Sequence, residues 1–180
     1  NLYDLLLEVM NDNGEVVEVV PQKVGFRRFE MKDNLMTLNG KRIVFKGVNR
    51  HEFCSATGRH VKKEDVIKDI MTMKQNNINA IRTSHYPNAP MFYQMCDKYG
   101  FFVIDEADYE SHGTMNLYYK NDTREERTSR WNELITDNPE YEEAVLDRVK
   151  KMIERDKNRP CVVIWSMGNE SGYGCTTEKA

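Results

Sequence analysis

The chain has 180 residues, of which 39% are hydrophobic and 31% are charged, and its formal net charge is −3. This composition is typical of a soluble globular protein and excludes a disordered chain. The basic residues are scattered among acidic ones, and no apolar run approaches the roughly 20 residues that span a bilayer, so we expect neither a nucleic acid nor a membrane as a partner.

The first part of the chain predicts the last strands of an antiparallel β domain. Apolar and polar residues alternate in three segments, at residues 2–10, 15–20 and 24–31. The first two flank the turn sequence Asn11-Asp12-Asn13-Gly14, which is the pattern of a β-hairpin. A second turn sequence, Asn39-Gly40, comes before the pattern changes.

Strands then alternate with helices. We predict strands at residues 43–49, 78–83, 101–106 and 161–166. Helices are predicted at residues 63–77, near 89–99 and at 142–158. Gly100 ends the second helix, Pro160 stops the third, and residues 113–137 form a long polar segment. Apolar strands separated by helices indicate a parallel sheet with helices on it, either a doubly wound sheet or a (β/α) barrel.

Polar residues at the ends of the strands favour the barrel. Those that follow strands one to four are, in order, Asn49, Arg50, His51 and Glu52; Arg82, Ser84 and His85; Asp105, Glu106, Glu110 and His112; and Asn169 and Glu170. Barrel enzymes assemble their sites from several strand ends in this way. A doubly wound sheet more often gathers such groups at one switch point beside a glycine-rich phosphate loop, and the sequence has no such loop.

Two kinds of chemistry fit this set of residues. A metal-dependent hydrolase would use histidines and carboxylates as ligands, but only Glu110 and His112 form a close pair. A glycosidase would use two carboxylates with polar and aromatic side chains around them, which the sequence favours. Each residue also has an ordinary interpretation: a single histidine can be a loop residue, and Asn169-Glu170 can cap a helix.

Four long motifs carry a resemblance to a known family. They are GVNRHE at 47–52, MKQNNINAIRTSHYPN at 73–88, CDKYGFFVIDEADYESHG at 96–113 and RDKNRPCVVIWSMGNESGYG at 155–174. Together they resemble the β-galactosidases of glycoside hydrolase family 2 over nearly the whole chain. The resemblance implies an α/β fold made of the first four βα units of a (β/α)8 TIM barrel at residues 34–180. Residues 1–33 would be the C-terminal strands of an immunoglobulin-like β-sandwich.

The resemblance also implies a substrate. ESHG, GNESGYG and the Arg50 of NRHE resemble the β-galactosidases rather than the related β-glucuronidases, which favours a terminal β-D-galactoside. The alternatives are a β-glucuronidase-like hydrolase of the same family and a non-catalytic half-barrel that binds sugar.

Residue roles follow from the same resemblance. Glu170 is similar to the general acid/base of a retaining double displacement, and Asn169 to the residue that hydrogen-bonds the sugar 2-hydroxyl. His51 and His85 resemble histidines that contact the sugar and stabilise the transition state. Arg82 resembles a residue that supports this site.

A magnesium ion is implied as well. Glu110 and His112 resemble its ligands, and Glu170 contributes to the same site, while a sodium ion would be bound by parts of the parent enzyme outside this chain. A hard cation with oxygen ligands would stabilise the ionised form of Glu170.

The second carboxylate of a retaining enzyme is expected elsewhere. In the family this nucleophilic glutamate follows the seventh barrel strand, and Glu52 and Glu106 are placed as supporting residues. We therefore expect the chain to be a piece of a longer, cytoplasmic, homo-oligomeric enzyme. Alone, it should be inactive, and its unpaired strand edges should make it either self-associate or be only marginally stable.

Overall fold

The computed structural model of the chain describes residues 1–114 and 123–180. A β-hairpin and a small antiparallel sheet come first, and a four-stranded parallel sheet with helices packed on it follows. In the described residues, no helix combines the length and apolar character needed to cross a membrane.

The predicted hairpin is present. Strands β1 (Tyr3–Met10) and β2 (Val16–Val24) pair antiparallel around a turn in which Gly14 has a positive φ of 80°. Apolar side chains are exposed along both strands, and Leu6 and Val17 are 59% and 61% accessible. Successive residues of a strand point to opposite faces, so neither face of this hairpin is covered by the rest of the described structure.

A three-stranded sheet follows the hairpin. It consists of β3 (Phe29–Lys32), β4 (Leu35–Leu38) and β5 (Lys41–Arg42). The predicted strand at 24–31 is therefore interrupted, because β2 ends at Val24 and β3 begins at Phe29. Between them, Arg27 leaves the sheet and donates hydrogen bonds to the carbonyl oxygens of Val162 and Arg159.

The division into domains at residue 33 stays a prediction. Strands β3 and β4, which lie on either side of it, pair with each other across a turn at Asp33-Asn34.

The first strand of the parallel sheet begins later than predicted. It is β6 (Gly47–Arg50), whereas the sequence pattern predicted a strand from residue 43. The N–H of Ile43 still bonds to the carbonyl of Met36 in the antiparallel sheet. The Asn79 side chain then takes the place of strand partners, since it donates to the Val44 carbonyl at 2.9 Å and accepts from the Lys46 N–H at 2.7 Å.

The other parallel strands match the prediction within a few residues. They are β7 (Ala80–Thr83), β8 (Phe102–Glu106) and β9 (Val162–Ser166), and the order in the sheet is β6-β7-β8-β9. All pairs are parallel, so the carboxyl ends of the four strands lie along one edge. This is the predicted α/β arrangement of four βα-type strands.

Helices cover the sheet as the apolar patterns predicted. Helix α1 (Lys63–Gln75) buries Val66, Ile70 and Met73, and helix α2 (Pro90–Tyr99) ends at Gly100 in the left-handed conformation. Ile81 and Val103 of the sheet pack with these residues in the core. A further helix, Glu142–Asp156, lies before β9 and buries Val145, Val149 and Met152.

The polar segment predicted at 113–137 contains helical structure. Residues 115–122 lie outside the described residues, but α3 (Arg124–Trp131) and one π-helical turn (Asn132–Thr136) follow them. We number the helix Glu142–Asp156 α4 and the final short helix, Cys175–Lys179, α5. The turn is fixed by polar contacts rather than an apolar stripe: Thr136 is fully buried and bonds to the hydroxyls of Tyr109 and Thr176.

Candidate active site

Glu106, the last residue of β8, lies at the centre of the carboxyl edge of the sheet. Its side chain is fully buried. It accepts hydrogen bonds from Arg82 Nε at 2.6 Å, from Ser166 Oγ at 2.7 Å and from His85 Nδ1 at 2.7 Å. Glu106 therefore joins three neighbouring strand ends through one carboxylate.

The surroundings of Glu106 keep it ionised. Burial alone would raise the pKa of this carboxyl group, but the hydrogen bonds from Ser166, Arg82 and His85 outweigh burial and lower the pKa below its usual value. An ionised carboxylate can only accept hydrogen bonds, so the proton in the contact with His85 lies on Nδ1 of the imidazole.

Arg82 continues this arrangement to the loop after β9. Its Nη2 donates to Asn169 Oδ1 at 2.9 Å, and Asn169 Nδ2 donates to Glu110 Oε1 at 3.1 Å. The four side chains of Glu106, Arg82, Asn169 and Glu110 thus form one hydrogen-bonded row. Both ends of the Asn169 amide are assigned by their partners, which fixes the orientation of its NH2 group.

His51 and His85 lie side by side. Their ring centroids are 5.2 Å apart and the rings are nearly perpendicular, at 85°. They line a cavity of about 540 Å³ together with Arg59, Tyr86 and Glu110. A larger cavity of about 620 Å³ lies at the opposite end of the sheet, near Arg27 and Pro160, and contains none of these residues.

The backbone after β9 presents Glu170 outward. Gly168 has φ 153°, and a Cβ there would lie 2.3 Å from the carbonyl oxygen of Tyr109, so only glycine allows this approach. The N–H of Asn169 bonds to that same carbonyl at 2.9 Å. Glu170 then adopts a left-handed conformation with φ 40°, and 62% of its side chain is exposed.

Glu110, His112 and Glu170 form a candidate metal site. One ligand atom from each lies within 4.8 Å of the other two. Nδ1 of His112 is 2.9 Å from Glu110 Oε1 and 3.2 Å from Glu170 Oε2. This nitrogen is buried but makes no aligned hydrogen bond within the described part of the chain. An unsatisfied nitrogen between two carboxylates fits a shared cation, because the cation would use its lone pair and neutralise the acids.

The structure brings all the residues selected from the sequence to one edge of the sheet. Those seven are His51, Arg82, His85, Glu110, His112, Asn169 and Glu170. Their roles stay predictions. Sequence reasoning did not identify Ser166 as a partner of Glu106, and it gave Glu106 only a supporting place. The alternation of β8 could have indicated the position of Glu106, since it lies two residues after Ile104 and therefore on the same face of the strand.

Comparisons with known proteins agree on the barrel. Residues 29–180 match the family model described as glycosyl hydrolases family 2, TIM barrel domain. The chain is 56% identical over 173 residues to a curated beta-galactosidase of Halalkalibacterium halodurans and 58% identical over 173 residues to one of Streptococcus thermophilus. In both cases 96% of this chain is covered, and the chain spans only 16% of the relative's length.

A solved structure has the same fold at lower identity. The b-glucuronidase from Ruminococcus gnavus in complex with D-glucaro 1,5-lactone superposes with a TM-score of 0.75 at 30% sequence identity. The match covers 94% of this chain and 26% of that one.

Proposed function

The chain belongs to the glycosyl hydrolases of family 2, and from this membership we propose that it supplies the first half of the catalytic barrel of a longer, retaining β-galactosidase. The observation that carries the proposal is the hydrogen-bonded row of Glu106, Arg82, Asn169 and Glu110 beside an exposed Glu170. Identities of 56% and 58% to curated beta-galactosidases favour a galactoside over the glucuronide suggested by the structural match at 30%.

Glu170 is the proposed general acid/base. Its exposed carboxyl group can reach the glycosidic oxygen, give it a proton as the bond breaks, and later take a proton from the attacking water. Gly168 has no room for a side chain, because a Cβ would lie 2.3 Å from the backbone oxygen of Tyr109, and a Cβ at Gly172 would lie 2.1 Å from the side-chain oxygen of Asn132. The backbone that carries Glu170 is therefore held closely against Tyr109 and Asn132.

Asn169 is the proposed contact to the sugar 2-hydroxyl. Its Oδ1 is occupied by Arg82, and one N–H of Nδ2 points to Glu110. The second N–H remains for a substrate oxygen. Because both partners fix the amide, the donor is positioned before the sugar binds, and little reorganisation is needed in the transition state.

His51 and His85 are the proposed contacts to other sugar hydroxyls. Glu106 holds the proton on Nδ1 of His85, so the opposite nitrogen, Nε2, is available as an acceptor while the ring is neutral. The perpendicular ring of His51 lies 5.2 Å away, which gives the cavity two imidazole edges for the hydroxyls of one sugar ring.

Glu110, His112 and Glu170 would hold a Mg2+ ion. When bound, it would supply positive charge at this edge of the sheet and would hold the carboxylates of Glu110 and Glu170 in fixed positions. The residues themselves perform the proton transfers and the sugar contacts described above.

The nucleophile of the proposed reaction lies outside this chain. Glu106 is unsuited to attack a sugar carbon because it is buried and both of its oxygens accept hydrogen bonds. Glu52 is engaged too, since both oxygens accept from the N–H of Ala89 at 3.1 Å. We propose that a glutamate from the rest of the barrel lies about 5 Å from Glu170 in the whole enzyme. A homo-oligomeric state, a cytoplasmic location and a separate sodium site also remain proposals.

Substrate assays of the full-length protein test this function. We expect 4-nitrophenyl β-D-galactoside to be hydrolysed much faster than the corresponding β-D-glucuronide, and proton NMR to show β-galactose as the first product. Faster turnover of the glucuronide would support the alternative substrate, and α-galactose as the first product would exclude a retaining mechanism. The isolated 180-residue chain serves as the control and should not turn over either compound.

A further inference from the structure

Asp105 is a buried acid that the proposed reaction does not use. It precedes Glu106 in β8 and is fully inaccessible. Its Oδ1 accepts hydrogen bonds from the Tyr93 hydroxyl at 2.5 Å and from Thr83 Oγ1 at 3.2 Å. In the described part of the chain, its second oxygen, Oδ2, is buried without a conventional donor.

A second buried acid lies at the end of helix α4. Asp156, the last residue of α4, is also fully inaccessible, and its Oδ2 accepts from Arg155 Nε at 2.8 Å. Its Oδ1 is likewise buried with no donor among the described residues. The Tyr93 ring, whose hydroxyl donates to Asp105, lies 5.2 Å from the Arg155 guanidinium, which itself pairs with Asp156, so the two acids belong to one buried cluster. Each acid contributes one buried oxygen without a donor among the described residues, and a single shared proton would satisfy both.

The charges around the two acids also call for one added proton. Asp105 accepts a hydrogen bond from Tyr93 of α2, the charge of Asp156 of α4 raises the pKa of Asp105, and Arg155 of α4 adds one positive charge. The other nearby cation, Arg50, is engaged with Asp69 and with the Asn88 side chain. Two ionised carboxylates would leave one buried negative charge without compensation, which is strongly unfavourable. One added proton makes the group of Asp105, Asp156 and Arg155 neutral.

We propose that Asp105 and Asp156 share one proton, and that this acid pair is a positioning device for the carboxyl edge of the sheet. Two hydrogen-bond paths connect it to that edge. In the first, Thr83 Oγ1 donates to Asp105 and accepts from the backbone N–H of Glu106 at 2.9 Å. Asp105 thereby holds the strand end that carries Glu106.

The second path leads to the loop that carries His85. The Tyr93 hydroxyl, which donates to Asp105, accepts from the N–H of Asn88 at 3.0 Å. Arg155, which pairs with Asp156, donates to the carbonyl of Asn88 at 3.0 Å. Both members of the pair thus hold Asn88 in place, three residues after His85.

The raised pKa of Asp105 is consistent with the shared proton. Burial raises its pKa to about 7; the hydrogen bonds from Tyr93 and Thr83 oppose this rise, and the charge of Asp156 reinforces it. Because the pKa of Asp105 in the folded protein exceeds its unfolded value of 3.8, the shared proton stabilises the fold most at pH values below 3.8. That contribution is lost progressively as the pH rises towards 7.

Infrared spectroscopy of the full-length protein tests the shared proton directly. At pH 5 we expect a C=O stretch from a protonated, buried carboxyl group that disappears in both Asp105→Asn and Asp156→Asn, because an amide donates to the remaining acid and leaves it ionised. Asp147→Asn, which removes an exposed acid from the same helix, is the control and should keep the band. A band that persists in both folded variants would overturn the proposal. If neither variant folds, titration of the wild type decides: loss of one such band between pH 6 and 8 is expected, and its absence excludes the pair.

Measurements of kcat test the positioning role, and this part of the test rests on the proposed function. Asp105→Ala should lower kcat by about 10- to 100-fold, since it frees Thr83 and Tyr93 and displaces the site. For the wild type we expect kcat to decline as the pH rises through about 7. Asp105→Asn, which retains those contacts, should keep most of the wild-type kcat and should not show this decline. An unchanged alkaline decline in Asp105→Asn would refute positioning by the pair. The infrared result does not depend on activity, so failure of the proposed function would be recognised separately.

Discussion

Arg82 and Glu106 form an ion pair across two neighbouring strands, with Nε 2.6 Å from a fully buried carboxylate oxygen. The same guanidinium reaches Asn169 at 2.9 Å. One side chain therefore fixes both an acid within the sheet and an amide on the loop that leads to Glu170. Loss of the Arg82 contact with either Glu106 or Asn169 should therefore displace both the buried acid and the loop.

Replacing Arg82 tests this double contact. Arg82→Met should destabilise the protein by about 3 kcal/mol, because Glu106 would lose the partner of a buried charge. It should also lower kcat by about 100-fold through displacement of Asn169. Denaturant unfolding and steady-state kinetics measure the two effects. Arg148→Met, which removes an exposed arginine from α4, is the matched control and should change neither.

The lowered pKa of Glu106 predicts sensitivity to acid. A carboxyl group whose pKa is lower in the folded than in the unfolded protein stabilises the fold above the unfolded value, which is 4.5 here, and this stabilisation is lost as the pH falls below it. The free energy of unfolding should therefore fall between pH 5 and pH 3 by less in Glu106→Gln than in the wild type. Glu8→Gln changes an exposed acid of the hairpin and should keep the wild-type profile. Equal slopes for all three proteins would contradict this account.

Glu170→Gln tests the acid/base role. Substrates with poor leaving groups need a proton from Glu170, so their turnover should fall by about 100- to 10,000-fold. Activated aryl galactosides should lose less in bond cleavage, and azide should partly restore their turnover by replacing the water that the carboxylate no longer activates. A uniform loss on all substrates without rescue by azide would argue against the role.

His112→Ala tests the metal site. Removal of one of three candidate ligands should weaken Mg2+ binding by at least about 10- to 100-fold. The measurement is a Mg2+ titration of activity and of thermal stability after treatment with a chelator. His60→Ala removes an exposed loop histidine outside the site and should leave the titration unchanged. Equal Mg2+ affinity in all three proteins would exclude His112 as a ligand.

Gly168→Ala tests the close approach below Glu170. The added Cβ would lie 2.3 Å from the Tyr109 carbonyl oxygen, so the loop must shift, at a cost of about 1–3 kcal/mol. Turnover should fall together with the unfolding temperature. Gly113→Ala is the control, because a Cβ there meets no atom within 4 Å. A stable and fully active Gly168→Ala would show that the loop is not confined.

Elements that depend on local apolar patterns were well predicted from the sequence. The stripe of Val66, Ile70 and Met73 gave α1, and Gly100 marked the end of α2. The strand prediction was wrong at residues 43–46, because the Asn79 side chain bonds to the backbone there. Such a contact joins residues more than 30 positions apart and leaves no periodic signal.

The site was predicted through its exposed members rather than its buried centre. Residues such as His51 and Glu170 follow strands and stand out as polar groups after apolar runs. The importance of Glu106 depends on three donors from β7, β9 and the loop after β7, which only the assembled sheet brings together. The proposed pairing of Asp105 with Asp156, 51 positions later in the chain, could not be predicted from the sequence for the same reason.

The strand order β6-β7-β8-β9 also bears on how the protein is made. During synthesis on a ribosome, each strand emerges next to the partner that was completed just before it, so the sheet can grow in the direction of translation without waiting for distant segments. Arg82, His85 and Glu106 leave the ribosome before β9 does. The loop bearing Asn169 and Glu170 would then be the last of these to arrive, after both partners of the Arg82–Glu106 ion pair have been synthesised.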